Sequence, residues 1–212
     1  MITLYAVTWR NGLPALDGDG LTVLADRHLA LVVGPAVATT TRDDALAFGR
    51  TVERIASAVD LLPFRYGTTA ADADEARDLL HQHRAAWAAR LQKVQGCAEL
   101  AIRAAPPAAH EGRGRADSGA EHLGRLVSQS RLLDGAEDQV GDVLAGRCRV
   151  VRRLAGHGEL KLSCLVERPS IAPVLSVLEE WASERDDLVV SVTGPWAPYS
   201  FAADGEEPGV AL

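Results

Sequence analysis

Hydrophobic positions along this chain follow two periods that alternate in a regular order. Residues 2–7, Ile-Thr-Leu-Tyr-Ala-Val, read as a strand. Residues 21–25 and 28–33 give two further apolar runs on either side of Asp26 and Arg27, the pattern of a hairpin, and Gly34-Pro35 is expected to stop it. The period then lengthens. Ala45, Phe48, Val52, Ile55, Ala56 and Val59 recur at helical spacing behind Thr41 and Asp44, which have the form of an N-terminal capping box, so a helix is expected over residues 43–60. Residues 61–66 return as a short strand. Asp72 and Glu75 open a second helix, with Ala76, Leu79, Leu80, His83, Trp87, Leu91 and Val94 on one face and Gly96 at its end.

The second half repeats the alternation. Residues 97–104 are strand-like, and the Pro- and Gly-rich residues 105–116 read as a loop. Ser118 with Glu121 forms a capping-box pattern, and Leu123, Leu126, Val127, Ser130 and Leu133 continue a helix face. Gly135 is expected to break that helix, with a second piece running on to Ala145. Residues 147–154 and 159–166 predict a hairpin across Gly156-His157-Gly158. Ser170 opens the last helix, Pro173 is tolerated in its first turn, and Val174, Leu178, Trp181 and Ala182 face inward. The β-branched run at residues 188–192 closes the series as a buried strand. From Cys97 the order is β-α-β-β-α-β, the ferredoxin-like plan. The chain therefore reads as α+β in two domains: an N-terminal α+β unit over residues 1–95, and a ferredoxin-like C-terminal domain over 96–201 whose helical connection is longer than the minimum. Residues 202–212 read as a disordered acidic tail.

The last strand runs into Gly194-Pro195-Trp196-Ala197-Pro198-Tyr199-Ser200-Phe201. Pro195 and Pro198 lack an amide donor and hold the preceding residues extended, so this segment cannot continue a central strand. It mounts three rings on a stiff strap. Such a strap either packs on its own domain or presents a contact surface.

Composition narrows the reading. The 212 residues are 47% hydrophobic, enough for one large core or two modest ones. A formal charge of -7 argues against nucleic-acid binding through a basic surface. The first residues lack the basic segment and cleavage site of a signal peptide, and no apolar run approaches the roughly 20 residues of a membrane span. Three widely spaced cysteines, Cys97, Cys148 and Cys164, suit a reducing compartment and read as small core residues rather than a disulfide framework.

Chemistry-bearing patterns are sparse. His81 and His83 lie about 200° apart on one helix and cannot share a metal. The serines lack a nucleophile-elbow context, and the glycine pairs at Gly18/Gly20, Gly112/Gly114 and Gly156/Gly158 fit turns better than phosphate loops. Paired acids such as Asp43/Asp44, Glu179/Glu180 and Asp186/Asp187 sit at helix starts, solvent faces or turns. No catalytic residue, cofactor or metal is expected. Arg65, between Phe64 and Tyr66, is the charged residue singled out: it either ties its strand to a carboxylate, with Glu99 as a candidate, or anchors an interface.

Two segments carry a resemblance. Thr193-Gly194-Pro195-Trp196-Ala197-Pro198-Tyr199-Ser200-Phe201 resembles the C-terminal signature of the gas vesicle protein F/L family, and Leu62-Pro63-Phe64-Arg65-Tyr66-Gly67-Thr68 resembles that family's Leu-Pro-Val-Arg-Phe-Gly-Thr stretch. Both stand in the family's order, and the likeness runs to about Phe201. Ser118-Gly119-Ala120-Glu121-His122-Leu123 resembles the family's Ser-Gly-x-x-Tyr-Leu, with His122 where the family has tyrosine. The resemblance implies an N-terminal α+β domain with a modified ferredoxin-like C-terminal domain. It also implies a non-enzymatic accessory protein acting in the cytoplasm, at the gas vesicle, and binding the small hydrophobic main shell protein. Candidate partner-binding residues are Arg65, Tyr66, Trp196, Tyr199 and Phe201. A scaffold for other accessory proteins, or a ferredoxin-like small-molecule binder, are the competing expectations, with neither nucleic acid nor membrane as a partner.

Overall fold

A computed structural model describes residues 1–13, 20–36, 41–107 and 119–202, the side chains of residues 119–122 excepted. The chain forms two compact units. One comprises residues 1–98 together with the chain from Trp196 on, and the other comprises residues 99–195.

The first unit is built on β1 (Ile2–Trp9), β2 (Thr22–Asp26), β3 (Leu29–Pro35), α1 (Arg42–Ala58), β4 (Leu61–Pro63), β5 (Thr69–Ala70) and α2 (Ala73–Val94). The sheet order is β2-β3-β1-β4, with β5 also on β1. The expected hairpin is present: β2 and β3 pair antiparallel across Arg27, which carries a positive φ of 54°. The strand runs through Gly34 to Pro35 rather than stopping before them. β1 is buried at six consecutive positions, so both its faces are covered. The capping box is formed: the Asp44 amide donates to Thr41 Oγ1 at 3.2 Å, and the Thr41 amide donates to Asp44 Oδ2 at 3.1 Å. Phe48, Val52 and Ile55 of α1 bury against Tyr5, Val32 and Leu61. Leu80, Trp87, Leu91 and Val94 of α2 are buried as their spacing predicts.

His81 and His83 part as expected. His81 Nδ1 lies 3.4 Å from Asp26, which also accepts from Arg84 at 3.0 Å, and His83 stacks on Trp87 at 5.2 Å.

The second unit comprises most of β6 (Cys97–Ala105), then α3 (Gly119–Leu144), β7 (Val150–Arg153), β8 (Leu160–Glu167), α4 (Ile171–Ser183) and most of β9 (Val189–Trp196). The sheet order β7-β8-β6-β9 is that of the ferredoxin-like plan. Its core gathers Leu100, Ile102, Leu133, Ala136, Val140, Leu162, Val174, Leu178 and Trp181.

The expected burial of the last strand fails here, since the residues of β9 are exposed or half-buried, and so does the expected break in α3. Gly135 does not break the helix, because α3 is continuous. Leu133, Ala136 and Val140 bury on one face across that position, and their burial outweighs the cost of about 1 kcal/mol for a helical glycine. Ser170 opens α4 as expected, standing as its N-cap without a side-chain hydrogen bond, and a 3-10 turn, Arg168–Ser170, leads into it.

The capping pattern at Ser118 and Glu121, the His122 ring and residues 203–212 lie outside what the structure describes. Ala202, counted above with the tail, is buried at the end of a short helix, α5 (Tyr199–Ala202).

Candidate partner-binding surface

The earlier of the segments that carry the resemblance, and the later one from Trp196 on, lie in the first unit. The earlier one begins as β4, whose Leu61, Leu62 and Pro63 oppose Thr8, Val7 and Ala6. Pro63 ends the strand because it has no amide to donate. The Phe64 amide still bonds to the Tyr5 carbonyl at 2.9 Å, and the Phe64 ring meets Trp87 edge-on at 5.8 Å, fully buried.

The chain then turns. The Arg65 carbonyl accepts from the Thr68 amide at 3.1 Å and from Thr68 Oγ1 at 2.8 Å, and Gly67 takes a φ of +90° that side chains rarely adopt. Arg65 and Tyr66 are therefore turn residues, not strand residues. Arg65 is exposed. Its suggested partner, Glu99, is buried in the second unit and accepts from Ser163 Oγ at 2.8 Å. Tyr66 is half-buried, its ring edge 5.6 Å from Phe48, which stacks on Tyr5 at 4.8 Å. Burial and then the Asp44 carboxylate push the Tyr66 hydroxyl above its ordinary pKa, so it stays a neutral donor.

The later segment leaves β9 at Trp196. Its anchor is electrostatic: the Ala197 amide donates to both carboxylate oxygens of Glu53, at 3.1 and 3.2 Å. Glu53 lies on α1, 144 residues earlier in the chain. Ala197, Pro198, Phe201 and Ala202 are buried. Tyr199 is half-buried against the same cluster of Phe48, Val52 and Ala197 that supports Tyr66. Trp196 is 44% exposed.

The five sequence candidates thus divide. Tyr66 and Tyr199 share one apolar support, Arg65 and Trp196 are exposed, and Phe201 is a core residue. The expectation that residues 196–201 belong to the C-terminal domain differs from the observed grouping, in which they pack with the first unit. Sequence reasoning missed Glu53 altogether. Among the described residues no cluster of His, Cys, Asp and Glu could hold a metal ion, and no helix is long and apolar enough to cross a membrane.

The chain is thus an α+β protein with a ferredoxin-like unit and, in its first unit, an aromatic strap held by a carboxylate of α1. Comparison with known proteins gives that class a family. The family described as "Gas vesicle synthesis protein GvpL/GvpF" matches residues 2–203, and the chain belongs to it. It is similar to the "Gas vesicle protein L" of Streptomyces sp. (strain CB03234), at 26% identity over 191 residues, covering 78% of this chain and 71% of that one. Its fold is that of the crystal structure of GvpF from Anabaena sp. PCC7120, with a TM-score of 0.78, 17% identity and 98% of both chains covered. The GvpF structure from Microcystis aeruginosa matches with a TM-score of 0.76, at 16% identity, over 95% of this chain and 98% of that one. Membership in this family supports an accessory role in gas vesicle formation.

Proposed function

We propose that this protein acts in gas vesicle formation by binding the main hydrophobic shell protein and holding it for nucleation or assembly, without catalysing a reaction. The reading places it in the cytoplasm, at the growing vesicle. The observation that carries the contact site is the mounting of Trp196. A large ring stands 44% exposed immediately before a residue whose amide is fixed by Glu53. An indole carried on a fixed backbone buries a large area for few rotatable bonds, and tryptophan and tyrosine are enriched in binding hot spots. Tyr66 and Tyr199, half-buried on their shared support, and the exposed Arg65 are the further candidates for that contact. An apolar shell subunit that would self-associate in water is the partner such a surface fits.

The test is co-expression with the main shell protein and recovery through a tag on this chain. Recovery is expected with the wild type and at least about tenfold less with the double change Trp196→Ala and Tyr199→Ala, equivalent to the loss of one hot-spot contact. Circular dichroism of the double variant should match the wild type. Undiminished recovery would overturn the assigned surface, and recovery of only other accessory proteins would favour the scaffold role.

A further inference from the structure

The second unit holds a pair of thiols that the gas vesicle role does not use. A cleft of about 390 Å3 opens where α3 hands over to β7 and where α4 begins, lined by Gly146, Arg147, Cys148, Arg149, Ser170 and Pro173 among others. Cys148 is half-buried on its wall. Cys164, on β8, is completely buried behind it, and the two side chains are hydrogen-bonded although neither is in a disulfide. Each packs against the core of the unit, Cys164 as a member and Cys148 at its margin. The Arg149 guanidinium is paired with Glu167, which also lines the cleft, at 3.0 Å, and that of Arg147 donates to the Val143 carbonyl at 2.6 Å, so the cleft wall is polar and carries both signs of charge.

The two thiols are not equivalent. The hydrogen bond from the Cys164 S–H, then the nearby Arg147 charge, favour the Cys148 thiolate and lower its pKa against the opposing effect of burial. The same shared hydrogen bond and the burial of Cys164 push its pKa up, so it keeps its proton. One sulfur is thus reachable and nucleophilic, and the other is adjacent and protected.

We propose that Cys148 is a peroxide-reactive thiol and that Cys164 resolves its oxidised form into an intramolecular disulfide. The Cys148 thiolate attacks one oxygen of a hydroperoxide, forming an S–O bond and breaking the O–O bond. The sulfur loses two electrons to become a sulfenic acid, and the departing oxyanion takes up a proton to leave as water or an alcohol. The Cys164 sulfur then attacks the Cys148 sulfur: S–S forms, S–O breaks, and the leaving hydroxide carries off the Cys164 proton as water. Two thiols and one hydrogen peroxide become one disulfide and two waters. The bond ties the turn after α3 to β8.

The experiment treats the reduced full-length protein with hydrogen peroxide, blocks remaining thiols and maps the peptides by mass spectrometry. Cys97, 2% exposed and in the other unit, is the internal control. The expected product is a Cys148–Cys164 link with the loss of two hydrogen masses, and in the untreated protein Cys148 should alkylate about tenfold or more faster than Cys97. Cys164→Ala should stop at a sulfenic acid that a 1,3-dione traps on Cys148. The peroxide-induced link in the wild type decides the matter even if that variant folds poorly. Equal reactivity of Cys97 and Cys148, a link between two chains instead of within one, or direct passage to the sulfinic acid with Cys164 left reduced would each overturn the proposal.

Discussion

Gly194 adopts a φ of +127° at the point where β9 becomes the strap, and a Cβ built there would sit 2.7 Å from the Glu99 carbonyl oxygen and 3.0 Å from Leu100 Cδ2. Both the backbone angle and the approach of β6 exclude a side chain. Gly194→Ala should therefore lower stability by about 1–3 kcal/mol, seen as an earlier denaturation midpoint in urea. The neighbouring aromatic residues show how little a residue type says about its role. Trp196 and Phe201 stand five apart in one signature, yet the first is 44% exposed and the second 8%. The tendency of both to be buried or to bind was legible, but the direction in which each ring turns was not. Glu53 was invisible for a simpler reason. It reads as one more polar residue on a helix until the chain brings an unpaired amide to it.

Helices α1 and α2 begin where their polar residues say they should, because capping is a short-range contact between residues two or three apart. The Asp72 carboxylate accepts from the amides of Glu75 at 3.0 Å and Asp74 at 2.9 Å, and these bonds, Glu75's foremost, hold its pKa below the ordinary 3.8. A carboxyl whose folded pKa is depressed stabilises the folded state fully above its unfolded pKa and loses that contribution as the pH falls through the folded value. The melting-temperature gap between the wild type and Asp72→Ala should therefore be full near neutral pH and close as the pH drops below about 3.8. A gap that does not change with pH would contradict the cap. Gly135 makes the opposite point at the same scale. A Cβ there would meet nothing within 4 Å, and the helix is continuous through it. Gly135→Ala should raise stability by about 0.5–1 kcal/mol, measurable as a higher midpoint, because the folded state already tolerates alanine while the unfolded chain loses freedom.

The whole molecule is organised by a chain that leaves its first unit after Ala98 and returns to it at Trp196. The return contributes Ala197, Phe201 and Ala202 as buried residues, together with the Ala197–Glu53 bonds. Ending the chain after Trp196 should cost the first unit at least about 3–5 kcal/mol, the loss expected for removing a buried phenylalanine alone. In hydrogen exchange the amides of β1, β3 and β4 should lose protection while those of β6 and β8 keep theirs. Equal loss across both units would show that the strap is not specific to the first.

By itself the sequence determined the order of the longer elements, the α+β class, the β-α-β-β-α-β plan of the second unit and the caps of the first helices. Each of these rests on periodicity or on contacts a few residues apart, which a linear pattern records directly. Its family signatures also located the two segments that carry the candidate surface. Only the tertiary structure decided that these segments share one unit, that Tyr66 and Tyr199 rest on the same cluster, that Phe201 turns inward, and that Cys148 and Cys164 touch. The physical reason is common to all four. Each depends on which apolar surfaces find one another after the chain has closed loops from more than a dozen to more than a hundred residues long. Local propensity is indifferent among the alternatives, and packing of the completed core selects one of them.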